Sequence, residues 1–318
     1  KKNPDFFMKD ASGNALPYLD GYDVLIIKDP STAIAAFVAG QLDLCGRCLP
    51  NGGPLVETIR KSAPKATLVK AANPGGTEIY VNNAKAPFTD PRVRRALVKG
   101  LDVAGMVQVL GKGEGLFNAA GVGIAYKEWT LPEAEFPKLY PHDIAGAQAL
   151  LKEAGYDAKT PISIYTDNSS TDNVTYTELL QSQLKAIGFN AVVAPVDYAD
   201  IIDRRRRGDF VLYTSGKSQE IEPDGNLYPV YHTGGSLNYS SISDPKLDQM
   251  LEQQRGLTNV AERQKLIQDI VRYIASEGLS LNPVTGQRYM YWHNYVNGYY
   301  PHLFWGYGVK LMQTWMAK

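Results

Sequence analysis

The segment 73–102, with the sequence NPGGTEIYVNNAKAPFTDPRVRRALVKGLD, constrains the fold more than any other part of the chain. Residues 77–82 form a β-branched and aromatic run, which predicts a strand. Asp90 is a good helix N-cap, and Pro91 suits the first helical turn. Apolar residues then recur at helical spacing, which predicts one buried helix face: Val93, Ala96, Leu97 and Leu101. We interpret this segment as the place where the chain leaves one lobe and begins a second.

Composition narrows the class of protein. The chain has 318 residues, 44% of them hydrophobic, and a formal net charge of zero. A chain of this length can bury roughly 75% of its unfolded surface, and two domains are expected. Zero net charge gives no electrostatic case for nucleic acid or an anionic membrane surface. No apolar run reaches about 18 residues, so no membrane span is predicted. Because the sequence starts at Lys1 without a signal peptide, we expect a mature, trimmed or partial chain.

Strands and helices alternate along the middle of the chain, which predicts an open, mainly parallel sheet flanked by helices. Predicted strands are residues 24–27, 42–44, 66–70, 162–166, 189–194, 209–213, 279–283 and 288–291. Predicted helices begin after Asp29, Asp102, Asp197, Asp244 and Asn259 and also cover residues 54–62, 143–155 and 172–187. Residues 111–141 are expected to be a long loop, and residues 214–238 are expected to be loop-rich. Ligands bind beyond the carboxyl ends of strands in such sheets, which directs attention to the turn after Tyr213.

Four short motifs have the spacing of one known family. They are Asn83 with Pro87-Phe88-Thr89-Asp90, Val93-Arg94-Arg95-Ala96-Leu97 with Asp102, Ala154-Gly155-Tyr156, and Asn238-Tyr239 before Asp244-Pro245. Together they strongly resemble the extracytoplasmic solute-binding proteins of peptide/nickel-type ABC importers (family 5), which include oligopeptide- and dipeptide-binding proteins. The resemblance runs from about residue 3 to residue 315.

The resemblance implies an α/β, type II periplasmic-binding-protein-like fold, with two lobes joined by a two-crossing hinge and mixed, mainly parallel sheets flanked by helices. Residues 1–82 with 284–318 would be the remnant of an incomplete lobe I, and residues 83–283 a complete, inserted lobe II. The expected hinge residues are Asn82, Asn83 and Pro283. Family members are longer at the N-terminus, so we expect this chain to be their C-terminal portion.

The loop after Tyr213 is the predicted ligand site, because it concentrates polar groups at a strand end. In the resembling family this loop ends in an acidic residue, Pro and Asp, matched here by Glu222-Pro223-Asp224. Peptide-binding members have an Asp in this loop that pairs with the amino terminus of the peptide, and the corresponding position in this chain is Ser218, Gln219 or Glu220. Most members also have a Trp just upstream, where this chain has Ser215 or Gly216. Glu220 is suited to receive an ammonium group. Tyr239 and Arg47, the latter a potential carboxylate clamp, complete the candidate set.

The expected function is that of a receptor without catalysis, cofactor or metal. It would capture a small, peptide-like or related solute and deliver it to the transmembrane subunits of an ABC permease. We expect a periplasmic or otherwise extracytoplasmic monomer that binds no nucleic acid, with a membrane anchor on the full-length form left open. The run Arg204–Arg207 fits a solvated helix end that complements the macrodipole.

The alternative is an extracytoplasmic α/β enzyme. Cys45 and Cys48 form the one cysteine pair, but residues 49–54 cannot start the helix that a thioredoxin-like site needs, and no His lies nearby for zinc. We expect Cys45 and Cys48 to form a disulfide; the alternative is that both are inert, buried thiols. The histidines have no metal spacing, and no Gly-x-Ser-x-Gly elbow exists, so a hydrolase would need a dispersed site.

Overall fold

The computed structural model of the protein describes residues 1–27, 29–50, 54–111, 113–169, 171–217, 222–301 and 311–317, without the side chains of 46–50 and 54. The chain divides into two compact units. Unit 1 consists of Lys1–Asn73 and Gly286–Lys318, and unit 2 consists of Pro74–Thr285. The chain therefore crosses between the units twice.

Unit 1 contains a three-stranded antiparallel sheet in which a strand from the C-terminal segment lies between two strands from the N-terminal segment. Its helices are α1 (Pro30–Val38) and α2 (Pro54–Ser62). Its strands are β1 (Leu44–Pro50), β2 (Thr67–Ala72), β9 (Gln287–Trp292), β10 (Val296–Asn297) and β11 (Trp315–Met316), numbered along the whole chain. The sheet order is β1-β9-β2, and β10 pairs with β11.

The helix predicted after Asp29 is confirmed. The Asp29 carboxylate accepts a hydrogen bond from the Thr32 backbone N–H at 2.7 Å, and Pro30 occupies the first turn. Phe37 is fully buried and meets the ring of Tyr291 edge-on at 4.6 Å. This helix therefore covers the central strand of the unit 1 sheet.

The predicted buried strand at residues 24–27 is wrong. This stretch has no strand conformation, and Val24, Leu25 and Ile26 are 57%, 61% and 89% exposed. An apolar run becomes a buried strand only when a neighbouring strand and a covering layer are present. Neither neighbours this run in the part of the chain that the structure describes.

Unit 2 is built around a four-stranded sheet of order β3-β7-β5-β6. Its strands are β3 (Thr77–Val81), β4 (Leu116–Phe117), β5 (Ile162–Asp167), β6 (Ala191–Val196), β7 (Leu212–Gly216) and β8 (Val284–Thr285). Its helices are α3 (Pro91–Gly100), α4 (Val103–Leu110), α5 (Ile144–Glu153), α6 (Thr171–Ile187), α7 (Tyr198–Arg207), α8 (Asp224–Tyr231), α9 (Pro245–Gly256) and α10 (Val260–Glu277), with a 3-10 helix at Glu133–Leu139. β5 pairs in parallel with β6 and β7, whereas β3 runs antiparallel to β7.

The helix predicted after Asp90 carries the main core of unit 2. The Asp90 carboxylate accepts from the Arg92 backbone N–H at 2.8 Å, which confirms the predicted N-cap. The predicted face is buried, because Val93, Ala96, Leu97 and Leu101 are at most 2% exposed. This face of α3 lies in one buried hydrophobic cluster with residues of β3, β5, α5 and α6.

Two predictions in unit 2 are wrong. Residues 214–238 were expected to be loop-rich but contain the end of β7 and the helix α8, whose interior Pro229 and low amphipathicity hide the helical period. A strand was expected at residues 279–283, but this stretch makes only a single β-bridge, between Leu281 and Ile79. The strand β8 starts further along the chain, at Val284.

The chain crossings differ from the predicted hinge. They lie at Asn73–Pro74 and Thr285–Gly286, so β3 and residues 82–83 belong to unit 2 rather than to the first lobe. The reason is sheet pairing, since β3 is hydrogen-bonded to β7 along its whole length. The Asn82 side-chain amide donates to the backbone carbonyls of Gly208 and Phe210 at 3.1 and 3.0 Å.

The other two predicted hinge residues also lie within unit 2. The Asn83 amide nitrogen lies 2.9–3.0 Å from the carbonyl oxygens of Val81, Ser240 and Leu279. The Pro283 carbonyl accepts from the Asn118 N–H at 2.8 Å. These contacts tie loops of unit 2 together, and hinge motion at these residues stays a prediction.

Two helix-terminating glycines provide a test of the local packing. Gly155 and Gly278 both adopt left-handed backbone (φ 66° and 62°), where Ala costs roughly 1–2 kcal/mol. A Cβ at Gly155 meets nothing within 4 Å, whereas one at Gly278 would lie 2.5 Å from the Arg94 carbonyl oxygen. Urea unfolding should therefore show a larger loss of stability for Gly278→Ala than for Gly155→Ala, and equal losses would contradict this packing.

Candidate functional site

The carboxyl end of β7 lies at the edge of the unit 2 sheet where the sequence predicts ligand binding. β7 and β5 run in parallel, so their carboxyl ends share this edge. Gly216 ends the strand opposite Thr77, and the Lys217 backbone N–H donates to the Gly76 carbonyl at 2.9 Å. The polar stretch 218–224 follows directly.

A buried ion pair fixes this strand end. The Lys217 ammonium lies 2.6 Å from the Glu78 carboxylate, and their side chains are 5% and 0% exposed. Lys217 also donates to the Tyr231 hydroxyl at 2.8 Å, and Ser280 donates to the Glu78 carboxylate. We call Glu78, Ser215, Lys217, Tyr231 and Ser280 the strand-end cluster. It joins β3, β7, α8 and the chain before β8.

The electrostatics of the cluster favour a fixed charge pair. Burial alone would lower the pKa of Lys217, but the attraction of Glu78 and the hydrogen bonds outweigh it, and the net pKa is raised. Burial and the Glu78 charge raise the pKa of Tyr231 to about 12. Lys217 is therefore an ammonium ion at neutral pH, which excludes it as a general base.

Two predicted site residues lie in or beside this cluster. Ser215 is 5% exposed and stands opposite Glu78 in the β3–β7 register. Tyr213 is 1% exposed, and its ring stacks on Tyr80 at 4.2 Å. Tyr213 is thus part of the packing beneath the strand end, and Ser215 lies closer to the last residue of β7.

Glu222 and Asp224 are held by the helical layer of unit 2. The Glu222 carboxylate lies 2.5 Å from the Arg263 guanidinium and accepts from the Asp224 backbone N–H at 2.7 Å. Asp224 pairs with Arg255 at 3.2 Å and accepts from Gln254. Both acids therefore help to anchor the start of α8, and their proposed contact with a solute stays a prediction.

Tyr239 lies away from the strand-end cluster. It is half-buried, and the Arg205 guanidinium lies 4.6 Å from the centre of its ring. Both residues line a cavity of about 340 Å³ beside the end of α7. The structure thus places Tyr213 and Ser215 on β7 and Tyr239 on the loop beside the end of α7, where it still interacts electrostatically with Tyr213.

The remaining predicted residues are described in part or not at all. Ser218, Gln219, Glu220 and the side chain of Arg47 lie outside the described residues. Cys45 is disulfide-bonded and 4% exposed. The side chain of Cys48 is outside the described ones, so the pairing of these two cysteines stays a prediction.

Sequence reasoning missed the two residues that dominate the strand end. Glu78 stands in an otherwise apolar strand, and a carboxylate at a buried strand position signals a buried cation elsewhere. Lys217 follows the predicted strand in sequence. The sequence around Glu78 does not identify Lys217 as its partner, and the sequence around Lys217 does not identify Glu78. The two residues meet only because of the register between β3 and β7.

Other classes of site receive no support from the described residues. Within them, no group of three or more His, Cys, Asp or Glu side chains is arranged to hold a metal ion. No helix in the described part of the chain combines the length and apolar character needed to cross a bilayer.

Comparison with known proteins identifies the family. Residues 1–238 match the model of the bacterial extracellular solute-binding proteins, family 5, middle region. The chain belongs to this family. The resemblance found in the sequence motifs is thereby confirmed.

Individual family 5 proteins are similar over most of this chain. Heme-binding protein A of Haemophilus influenzae is 28% identical over 259 residues, covering 78% of this chain and 45% of that protein. The periplasmic oligopeptide-binding protein OppA of Escherichia coli K12 is 25% identical over 266 residues, covering 80% and 47%. The chain spans about half the length of the curated relatives it matches.

Solved structures confirm the predicted fold class. The oligopeptide-binding protein AppA of Bacillus subtilis, solved in complex with a nonapeptide, matches with a TM-score of 0.70 at 21% identity. The match covers 92% of this chain and 60% of that chain. The fold of this family 5 chain is therefore that of the type II periplasmic binding proteins.

Proposed function

We propose that this chain is part of the solute-binding receptor of an ABC importer. The receptor captures a small solute between two lobes and delivers it, chemically unchanged, to the transmembrane subunits of the permease. Membership of family 5 supports the receptor class. The observation that carries the proposal is the fixed carboxyl end of β7, from which the polar stretch 218–224 departs.

The geometry at the strand end suits binding better than catalysis. The Lys217–Glu78 pair holds the base of the stretch in place, so the polar groups that follow start from a rigid support. Rigid support lowers the entropy that ligand binding would otherwise cost. Since Lys217 is protonated and buried, the cluster offers a scaffold rather than an acid–base pair.

Closure is proposed to occur at the two chain crossings, Asn73–Pro74 and Thr285–Gly286. Two adjacent connections between units are typical of hinge closure, in which a few residues absorb the rotation. A solute shifts the population only if it binds the closed form more tightly than the open form. We place the protein in the periplasm or another extracytoplasmic compartment, as a monomer.

The proposed solute is peptide-like or a related small molecule that carries an ammonium group. Glu220 supplies the carboxylate, as its position in the family motif suggests. Glu222 contributes less, because Arg263 already neutralises its charge at 2.5 Å. The relatives named for heme and for oligopeptides illustrate that family 5 binds chemically different solutes.

Titration calorimetry on the full-length receptor tests this assignment. The Glu220→Gln, Glu222→Gln double variant is expected to weaken binding of a cationic solute by about ten- to a hundredfold, through loss of a charge-assisted hydrogen bond. Most of the effect should appear in Glu220→Gln alone. Glu153→Gln, which removes an exposed carboxylate elsewhere in unit 2, is the matched control. Unchanged affinity of the double variant would rule out the ammonium site.

A further inference from the structure

A cavity of about 340 Å³ lies in unit 2 between the C-terminal end of α7 and the loop at residues 234–241. Three consecutive arginines, Arg205, Arg206 and Arg207, line one side, and Ser236, Tyr239 and Ser241 lie on the other. None of the described residues that line it is acidic. The volume is at the lower end of the range for small-molecule sites, roughly 300–1,000 Å³.

The four arginines at the end of α7 are not equivalent. Arg204 pairs with Asp200 at 2.8 Å and Asp209 at 3.3 Å, and Arg207 pairs with Asp203 at 2.5 Å. Arg205 and Arg206 have no carboxylate partner among the described residues. The helix macrodipole places only about half a negative charge at this end, so the two unpaired arginines leave net positive charge at the cavity.

Arg205 is held in position with unused donor capacity. Its guanidinium carbon lies 4.6 Å from the centre of the Tyr239 ring, so the aromatic face fixes its plane. Its Nε is buried and has no hydrogen-bond partner among the described residues. A buried donor without a partner is costly unless a ligand supplies an acceptor.

The opposite wall is a neutral, well-ordered turn. The Asn238 amide donates to the carbonyls of His232 and Ile242 at 3.0 and 2.7 Å, and its oxygen accepts from the Ile242 N–H at 2.9 Å. These three bonds close the loop and leave the Ser236 and Tyr239 hydroxyls beside the cavity. Ser241 adopts a left-handed backbone (φ 51°), which for a serine is a strained conformation.

The cavity is separate from the strand-end cluster. It lies beside Gly208, which precedes β7, whereas the cluster lies at Gly216–Lys217 after β7. From Leu212 to Gly216 the strand spans roughly 14 Å, at about 3.4 Å per residue. A ligand in this cavity would therefore contact Tyr239 but neither the strand-end cluster nor Glu222.

We propose that this cavity is a binding site for a small multivalent oxyanion, a phosphate or a polycarboxylate. Guanidinium groups match such anions by paired N–H···O bonds, and the neighbouring hydroxyls add donors. Two uncompensated arginines favour an anion with at least two charges. The site does not depend on the identity of the transported solute.

Calorimetric titration of the chain with pyrophosphate and with citrate, at constant ionic strength, tests the proposal. We expect saturable binding of at least one anion. The anion that binds more tightly shows whether the site prefers phosphate or carboxylate groups. The Arg205→Gln, Arg206→Gln variant should bind the preferred anion at least about tenfold more weakly. Arg204→Gln, on the same helix but outside the cavity, should change affinity by less than about twofold.

A second variant leaves every arginine in place. Ser236 is exposed at the cavity, so Ser236→Asp should fold normally and repel the anion, with a loss of affinity of about tenfold. Thermal unfolding establishes that each variant is folded. The proposal is overturned if neither anion binds saturably, if Arg204→Gln weakens binding as much as the double variant, or if Ser236→Asp binds as tightly as the unchanged chain.

Discussion

Replacing Glu78 with Gln is expected to lower the free energy of unfolding by about 3–5 kcal/mol, because it leaves the buried Lys217 ammonium without its counter-charge. Both side chains are at most 5% exposed, so water cannot compensate for the lost carboxylate. The Tyr231 hydroxyl and the amide oxygen of the introduced glutamine could still accept hydrogen bonds from the ammonium, but neither carries a negative charge. Urea unfolding followed by circular dichroism measures the loss.

A surface pair and a second substitution control this measurement. Lys85 and Asp209 lie 3.7 Å apart with 43% and 57% exposure, so Lys85→Met should cost less than about 1 kcal/mol. Adding Lys217→Met to Glu78→Gln removes the orphaned charge and should recover part of the stability. Independent, additive effects of the two substitutions would show that the pair is not coupled.

The pH dependence of this contribution has a definite sign. Burial opposes the charged form of Lys217, but Glu78 outweighs it and the folded pKa is raised. The stabilisation is therefore fully present below the unfolded lysine pKa of about 10.4 and is lost as the pH rises through the folded pKa. The stability difference between the unchanged chain and Glu78→Gln should be largest near neutral pH and shrink as the pH rises, because the buried ammonium of the variant, without its counter-charge, loses its proton more easily.

Truncating Phe88 to Ala is expected to destabilise the chain by about 3–5 kcal/mol, the range for buried Phe→Ala changes that leave a cavity. Phe88 is fully buried in the main core of unit 2, with its ring 6.0 Å from that of Phe189. It lies in the segment that joins β3 to α3. Loss of its ring therefore removes packing where the second unit begins.

Phe7 provides the matched control for Phe88, because Phe7 is 85% exposed. Phe7→Ala should change the free energy of unfolding by less than about 0.5 kcal/mol. The two variants are compared by thermal unfolding and by urea titration. Similar effects of both substitutions would mean that the segment 73–102 does not organise the core of unit 2.

Local chemistry made much of the fold predictable. The Asp–Pro starts of α1, α3 and α9 are visible in the sequence because the cap and the first-turn proline act on neighbouring residues. The family motifs likewise lie within short segments, and they identified the fold class. In contrast, α8 was missed because Pro229 interrupts its pattern, and residues 24–27 were misassigned because burial depends on partners distant in sequence.

The site was less predictable than the fold for the same reason. The end of β7 was predicted at Tyr213, three residues before its observed end at Gly216, because the alternation of strands and helices places an element but not its boundary. The Glu78–Lys217 pair could not be predicted, since two residues on strands far apart in the chain meet only through the sheet register. Tyr213 was selected because it ends the predicted strand 209–213, yet its side chain packs inward against Tyr80.

The most direct test of the receptor proposal is to identify the molecule that the full-length protein carries. The protein is purified without denaturant and then unfolded, and the released small molecules are identified by mass spectrometry. The proposal predicts one small solute at about one molecule per protein, chemically unchanged on rebinding to the refolded receptor. Conversion of that molecule by the purified protein, into a product with altered covalent bonds, would contradict it.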